Sequence, residues 1–181
     1  MGNILSKSKK LDYIKSLPKS LIDRYQDWKS SSFEKNKDWY EKVVKDGQSP
    51  PVMVISCCDS RVHATAMFGA DTGEFFIHRN IANLIPPYNA DGDHHGTSAA
   101  IEFAVCSLGV SHIIILGHSN CGGIKNGYHL CKGDNQNLDL IFVNKWLNIL
   151  RPAYDSLSIT GDDDSIIREL EKESIKISIE N

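Results

Sequence analysis

The sequence predicts an α/β protein whose core is a Rossmann-like parallel sheet flanked by helices. Three short apolar runs, of the kind that forms buried parallel strands, fall at residues 52–56, 74–78 and 112–117. Helical patterns alternate with these runs, and such alternation implies parallel strands joined by helical crossovers. Two phrases rich in Cys, His and Asp follow the first and third runs. They therefore fall at the carboxyl ends of strands, where open α/β sheets place their sites.

Ahead of the sheet, the chain has the pattern of a helical arm. Apolar residues recur at helical spacing over residues 11–45, Pro18 marks a break, and a second helical segment follows Ser32. We therefore expect an N-terminal helical arm over residues 1–45 and an α/β core over residues 46–181 that carries the two phrases, in a single domain overall.

Within the core, helices are expected between and after the strands. A loop rich in Pro, Asn, Asp and Gly at residues 86–96 leads into an apolar helix at residues 97–108. Further helices are predicted over residues 137–147 and from Ser165 onwards, where apolar residues again recur on one face.

Composition excludes several classes of protein. The chain has 181 residues, of which 41% are apolar and 24% charged, which is typical of one globular domain. Its net charge of −3 gives no reason to expect nucleic acid as a partner. No apolar run approaches the length of a membrane span, and no signal peptide is visible, so we expect a cytoplasmic protein without a transmembrane segment. Residues 1–6 also fit the N-myristoylation pattern, in which Gly2 would carry the acyl chain.

The two phrases after the strands contain a set of metal ligands. The first reads Cys57-Cys58-Asp59-Ser60-Arg61, and the second reads His118-Ser119-Asn120-Cys121-Gly122-Gly123. The five cysteines of the chain are an odd number without the spacing of a disulfide framework, which favours a metal role. Two thiolates and one imidazole give Zn²⁺ three protein ligands and leave its fourth tetrahedral position open. This is the ligand count of a catalytic zinc site.

These phrases resemble the signatures Cys-x-Asp-x-Arg and His-x-x-Cys of the β-class carbonic anhydrases. The likeness extends in the order of that family through Gly47-Gln48-Ser49-Pro50, Arg79-Asn80, Pro86-Pro87-Tyr88 and the segment from Gly96 to Glu102. It implies zinc ligation by Cys57, His118 and Cys121, and it implies a homodimer or higher homo-oligomer in which the helical arm embraces a partner subunit. Members of the family continue into a further edge strand and a terminal helix that this chain lacks.

Asp59 and Arg61 are the expected catalytic pair. Because they are two residues apart at a strand end, their side chains should lie on the same side. The resemblance implies that Arg61 holds the carboxylate while Asp59 accepts a hydrogen bond at the open zinc position. A plain structural ion pair remains an alternative. In a closed state, Asp59 itself would be the fourth ligand.

The resemblance also implies a pocket for the substrate. Gln48 matches a substrate-facing glutamine of the family, with an exposed turn residue as the alternative. Phe76, Ile81 and Phe103 would line an apolar pocket for carbon dioxide, unless they are simple core residues. Gly122 would let backbone amides approach a ligand closely. Cys58 should point away from Cys57 and take no part in ligation, and the cysteines expected to be plain apolar residues are Cys106 and Cys131.

The function that the resemblance implies is the zinc-dependent, reversible hydration of carbon dioxide to bicarbonate and a proton. Two alternatives stay open at this point. One is a related hydrolase of carbon disulfide or carbonyl sulfide, and the other is a catalytically impaired zinc-binding or assembly subunit.

Overall fold

The computed structural model describes residues 15–91, 95–134, 140–158 and 160–181. The chain separates into two compact units, Met1–Gly47 and Gln48–Asn181. In the first, α1 (Lys19–Trp28) continues through a π-helical turn (Lys29–Phe33), and α2 follows at Lys37–Asp46. Helix α1 begins directly after Pro18, as expected of a residue that cannot donate a backbone hydrogen bond. The predicted helical positions 11–14 lie outside the described residues.

The described part of the second unit contains a three-stranded parallel sheet. Its strands are β1 (Val52–Cys57), β2 (Phe75–Asn80) and β3 (His112–Leu116). They lie in the order β2-β1-β3, so β1 is central. Their bounds agree with the predicted runs to within two residues, and the predicted α/β fold class is confirmed.

Helices surround this sheet. In chain order they are α3 (Ala64–Phe68), α4 (His95–Glu102), α5 (Gly122–Lys132), α6 (Ile141–Leu147), α7 (Arg151–Asp155) and α8 (Asp163–Glu180). Helix α4 starts two residues before the predicted helix, and a π-helical turn (Phe103–Ser107) completes its length. Of the helix predicted at 137–147, residues 137–139 lie outside the described part. Helix α8 begins where the Asp162 carboxylate accepts a hydrogen bond from Ser165 N–H at 2.8 Å.

The core places β1 between two apolar clusters. One is built around Met53, Ile55, Ile85 and Ala104. The other contains both Cys57 and Cys121 together with buried residues of α5, α7 and α8. Because β1 is covered in this way, every residue from Met53 to Cys57 is buried. The carboxyl end of β1 is therefore a rigid platform for the residues that follow it.

Two further expectations concern the chain as a whole. Among the described residues, no helix is both long enough and apolar enough to span a membrane. The further edge strand and terminal helix that the resemblance adds are not among the described elements, whose last is α8.

Candidate metal centre

The two ligand phrases meet at one end of the sheet. Cys57 is the last residue of β1, and His118 follows the end of β3 by two residues. Since β1 and β3 are parallel neighbours, with Ser56 opposite Leu116, their carboxyl ends lie side by side. Cys121 comes immediately before α5, after a turn in which Asn120 has a positive φ of 53°. The fold therefore assembles Cys57, His118 and Cys121, as predicted from the sequence.

The spacing of these side chains fits one tetrahedral ion. The two sulfur atoms are 3.9 Å apart. The ligand atoms of Cys57, His118 and Cys121 all lie within 4.8 Å of one another. Two sulfurs bound at 2.3 Å to a tetrahedral zinc are about 3.8 Å apart. The donor set and its dimensions are therefore those of a zinc site.

The orientation of His118 supports the same conclusion. Its Nδ1 lies 3.0 Å from the carbonyl oxygen of Ser119. Because a carbonyl only accepts, Nδ1 carries the proton and Nε2 presents a lone pair. Nε2 is buried, and no atom of the described residues hydrogen-bonds to it. A buried nitrogen lone pair without a partner, facing two sulfurs, is the arrangement that a metal ion satisfies.

The two thiols titrate as a pair. A hydrogen bond from the Cys121 thiol lowers the pKa of Cys57 to about 4, and a bond from Asp59 N–H to Cys57 Sγ (3.4 Å) acts in the same direction. The same thiol bond, together with burial, raises the pKa of Cys121. The lowered pKa of Cys57 and the raised pKa of Cys121 make Cys57 the first of the two thiols to lose its proton.

We accordingly expect zinc uptake at neutral pH to release about one proton, because the metal takes both sulfurs as thiolates and only Cys121 must still ionise. Calorimetric titration with zinc in two buffers of different ionisation enthalpy measures this number. Release of two protons would show that both thiols are protonated in the free protein.

Asp59 and Arg61 form a two-point ion pair next to these ligands. Arg61 Nε donates to Asp59 Oδ1 at 2.9 Å, and Arg61 Nη2 donates to Asp59 Oδ2 at 2.7 Å. These bonds hold the pKa of the Asp59 carboxyl well below its usual range. Asp59 Oδ2 also lies 3.8 Å from His118 Nε2. A permanently ionised carboxylate is thus aimed at the ligand set while Arg61 fixes its direction.

Two further side chains hold the backbone of the ligand segments, and the sequence phrases did not indicate either of them. Arg79 on β2 donates to the carbonyl oxygens of Cys57 (3.0 Å) and Asp59 (2.8 Å). From α8, Glu171 accepts a hydrogen bond from Cys121 N–H. Arg79 was among the residues that carry the family resemblance, but no role was predicted for it. Glu171 could not be predicted from a short motif, because it lies 50 residues beyond its partner.

Two of the predicted pocket residues lie next to the ligands. Ile81 directly follows Asn80, which pairs with Cys57 in the sheet. The first turn of α5 packs on Ile81 so closely that a Cβ at Gly123 would lie 2.9 Å from Ile81 Cγ2. A Cβ at Gly122 would meet open space, so this backbone is accessible. Cys58 is exposed while Cys57 is buried, and Cys58 is not in the group of possible metal ligands, as predicted.

A cavity of about 650 Å³ opens beside this group. The residues that line it include Cys58, Asn80, Ile81 and Trp146. The indole nitrogen of Trp146 donates to the carbonyl oxygen of Ile81 at 2.8 Å, which fixes one wall.

The other three predicted pocket residues are not brought to the ligands of the same chain. Phe76 pairs with Met53, four residues before Cys57, which corresponds to about 13 Å along the strand. The Phe103 ring is 5.9 Å from the Phe76 ring and is partly exposed. Gln48 is exposed and precedes β1, at the end of the strand opposite Cys57. Their roles toward substrate stay predictions.

Comparison with known proteins identifies the family. A family model described as "Carbonic anhydrase" matches residues 52–181, which include the whole ligand set and the Asp59–Arg61 pair. The chain belongs to the β-carbonic anhydrase family. Beta carbonic anhydrase 3 of Arabidopsis thaliana is 33% identical over 177 residues, which cover 96% of this chain and 66% of the relative. The chain thus spans just under two thirds of that relative's length.

Solved structures agree with this assignment. The β-carbonic anhydrase CcaA superposes with a TM-score of 0.77 at 32% identity, covering 90% of this chain and 72% of that chain. A structure from a study of two tetrameric β-carbonic anhydrases of Sordaria macrospora gives a TM-score of 0.70 at 26% identity, covering 89% of this chain and 78% of the other. Zinc is the cofactor of this protein, as the Cys-His-Cys group independently indicates.

Proposed function

We propose that this β-carbonic anhydrase catalyses the zinc-dependent, reversible hydration of carbon dioxide to bicarbonate, with Cys57, His118 and Cys121 as the zinc ligands. The observation that carries the proposal is the buried, unpartnered Nε2 of His118 facing two sulfurs within 4.8 Å, in a chain of this family. Three protein ligands leave one zinc position for chemistry, which distinguishes the site from a structural Cys₄ or Cys₂His₂ site.

Zinc supplies a nucleophile at this position by lowering the pKa of water. The chain's own residues orient and protect that position. Asp59, ionised and 3.8 Å from His118 Nε2, would accept a hydrogen bond from the group held at that position and so orient it toward carbon dioxide. Arg61 holds both carboxylate oxygens. Because the carboxylate is engaged in this way, the geometry favours the open arrangement over the closed state in which Asp59 would be the fourth ligand.

The substrate pocket is proposed to need two copies of the chain. Ile81 and Gly122 lie beside the ligands of their own chain, whereas Gln48, Phe76 and Phe103 lie toward the other end of β1. Phe103 is 46% exposed, so it is free to face a neighbouring molecule. A homodimer would bring these three residues to a partner's site. The tetrameric relatives from Sordaria macrospora support an assembly of this kind.

The proposal is tested by metal analysis and stopped-flow hydration of carbon dioxide on the purified protein. We expect stoichiometric zinc and a hydration rate far above that of buffer. Carbon disulfide and carbonyl sulfide are assayed on the same sample. Faster turnover of either one would favour the hydrolase, and bound zinc without any turnover would favour an assembly subunit.

We propose the cytoplasm as the location of the protein. Acylation at Gly2 is tested by intact-mass analysis of protein from its native cells.

Activity is expected to rise with pH into the alkaline range. Two thiolates cancel the formal charge of Zn²⁺, so the metal activates water less strongly than in a site with three neutral histidines, where the pKa is about 7. Asp59 stays ionised throughout and contributes no step to the profile. A pH series of stopped-flow hydration rates checks this, and a profile already flat below neutral pH would contradict it.

A further inference from the structure

One peptide unit beside the metal ligands is held at both ends by charged side chains. The carbonyl oxygen of Asn120 accepts a hydrogen bond from Arg61 Nη2 at 2.9 Å. The N–H of the same peptide, which belongs to Cys121, donates to Glu171 Oε1 at 2.8 Å. Arg61 belongs to the proposed catalytic pair, whereas Glu171 comes from α8. The two side chains therefore fix the plane of the peptide from which the Cys121 side chain projects.

The N–H of Cys121 needs a partner from outside its own segment. Cys121 precedes α5 and is only 2% exposed, so neither an earlier turn of helix nor water satisfies this donor. The bond to Glu171 supplies that partner and fixes the backbone just before the start of α5.

Helix α8 holds Glu171 in this position through further contacts on the same face. Ile175 packs closely on Gly117, the residue before His118, where a Cβ would lie 2.6 Å from Ile175 Cδ1. Ser178 Oγ accepts a hydrogen bond from Ile85 N–H at 3.2 Å. The positions 171, 175 and 178 are spaced i, i+4 and i+7 and so share one helix face. Two of the three contacts adjoin the loop that carries His118 and Cys121.

We infer that Glu171 is a positioning residue for the zinc ligand Cys121, acting through the Asn120–Cys121 peptide whose other end Arg61 holds. A charge-assisted hydrogen bond is shorter and stronger than a neutral one, which suits the fixing of a ligand's backbone. Groups that orient metal ligands in this way are typically worth a factor of about 10 to 100 in metal affinity. The inference rests on the proposed zinc ligation by Cys121.

The test compares Glu171→Ala, Glu171→Gln and the control Glu173→Ala. Glu173 lies on the same helix and pairs with Lys176 at 2.7 Å, so its removal deletes an equal charge without touching the ligand loop. Zinc affinity is measured by competition with a chromophoric chelator. We expect Glu171→Ala to bind zinc about 10 to 100 times more weakly than the parent protein. Glu171→Gln should keep most of the affinity because its amide oxygen still accepts the bond, and Glu173→Ala should match the parent.

Two further measurements separate positioning from general stability. The absorption spectrum of the cobalt-substituted protein reports the geometry of the thiolates, and we expect it to change in Glu171→Ala but not in Glu173→Ala. Urea unfolding of the metal-free variants shows whether the loss of affinity merely follows a loss of folding. Unchanged affinity and cobalt spectrum in Glu171→Ala would overturn the inference, as would an equal loss in Glu173→Ala. If the parent protein binds no zinc, the proposed ligand set fails instead, before any variant is compared.

Discussion

The Cys57→Ser protein is expected to purify without stoichiometric zinc and to show no hydration of carbon dioxide above the rate of buffer. A serine hydroxyl keeps its proton at neutral pH, so it can replace neither the soft sulfur ligand nor its negative charge. The structure makes the loss severe because Cys57 is the thiol of the pair whose pKa is lowered, by its bonds to Cys121 and to Asp59 N–H, and which therefore ionises more readily. Metal analysis of the purified variant and stopped-flow hydration measure both parts of the result.

Cys106→Ser is the matched control. The sequence suggested a plain buried cysteine at this position, and that prediction was wrong: Cys106 is exposed in the π-helical turn after α4. Its thiol is therefore a surface group, and its replacement should leave zinc content and activity unchanged. Cys121→Ser should behave like Cys57→Ser. Full zinc retention in either ligand variant would refute the assignment of the metal centre.

The ligand set was predictable because its chemistry is local. Cys57, His118 and Cys121 lie in two short phrases, and each phrase follows an apolar run of the kind that forms buried parallel strands. Parallel neighbours end at the same edge of a sheet, so the sequence implied that the phrases would meet. The prediction for Cys131 as a buried apolar residue was also confirmed.

The residues that support the ligands could not be predicted, because their contacts join parts of the chain that are far apart in sequence. The bond from Cys121 N–H to Glu171 depends on how α8 packs against the loop, which no short pattern records. Periodicity also does not show at which end of a strand a residue such as Phe76 lies relative to Cys57, since that follows from the register of the strands. The fold and the ligands could thus be inferred from local patterns, whereas the contacts that orient them required three-dimensional packing.

The Asp59→Asn protein is expected to keep its zinc and to lose about two to three powers of ten in hydration rate, which is typical for a positioned proton-handling group. Asparagine has nearly the same shape, but it carries no charge for Arg61 and its amide can donate where the carboxylate only accepts. Zinc content and stopped-flow rates are measured together. Asp155→Asn is the control, because Asp155 also pairs with an arginine, Arg151 at 3.9 Å, in the unrelated helix α7.

Arg61→Ala separates the two possible roles of the Asp59 carboxylate. Without the Arg61 side chain, the carboxylate loses both guanidinium bonds and keeps only the bond from the backbone N–H of residue 61 to Oδ1. Asp59 Oδ2 is already 3.8 Å from His118 Nε2, which is close enough for it to move onto the metal. We therefore expect Arg61→Ala to be as slow as Asp59→Asn, with a cobalt spectrum changed by the added oxygen ligand. In the Arg61→Ala and Asp59→Asn double variant, the carboxylate is gone, so the spectral change due to the added oxygen ligand should disappear, and only a change due to the freed Asn120 carbonyl should remain. If instead both single variants hydrate carbon dioxide at the parent rate, Asp59 and Arg61 form only a structural ion pair that closes the end of β1.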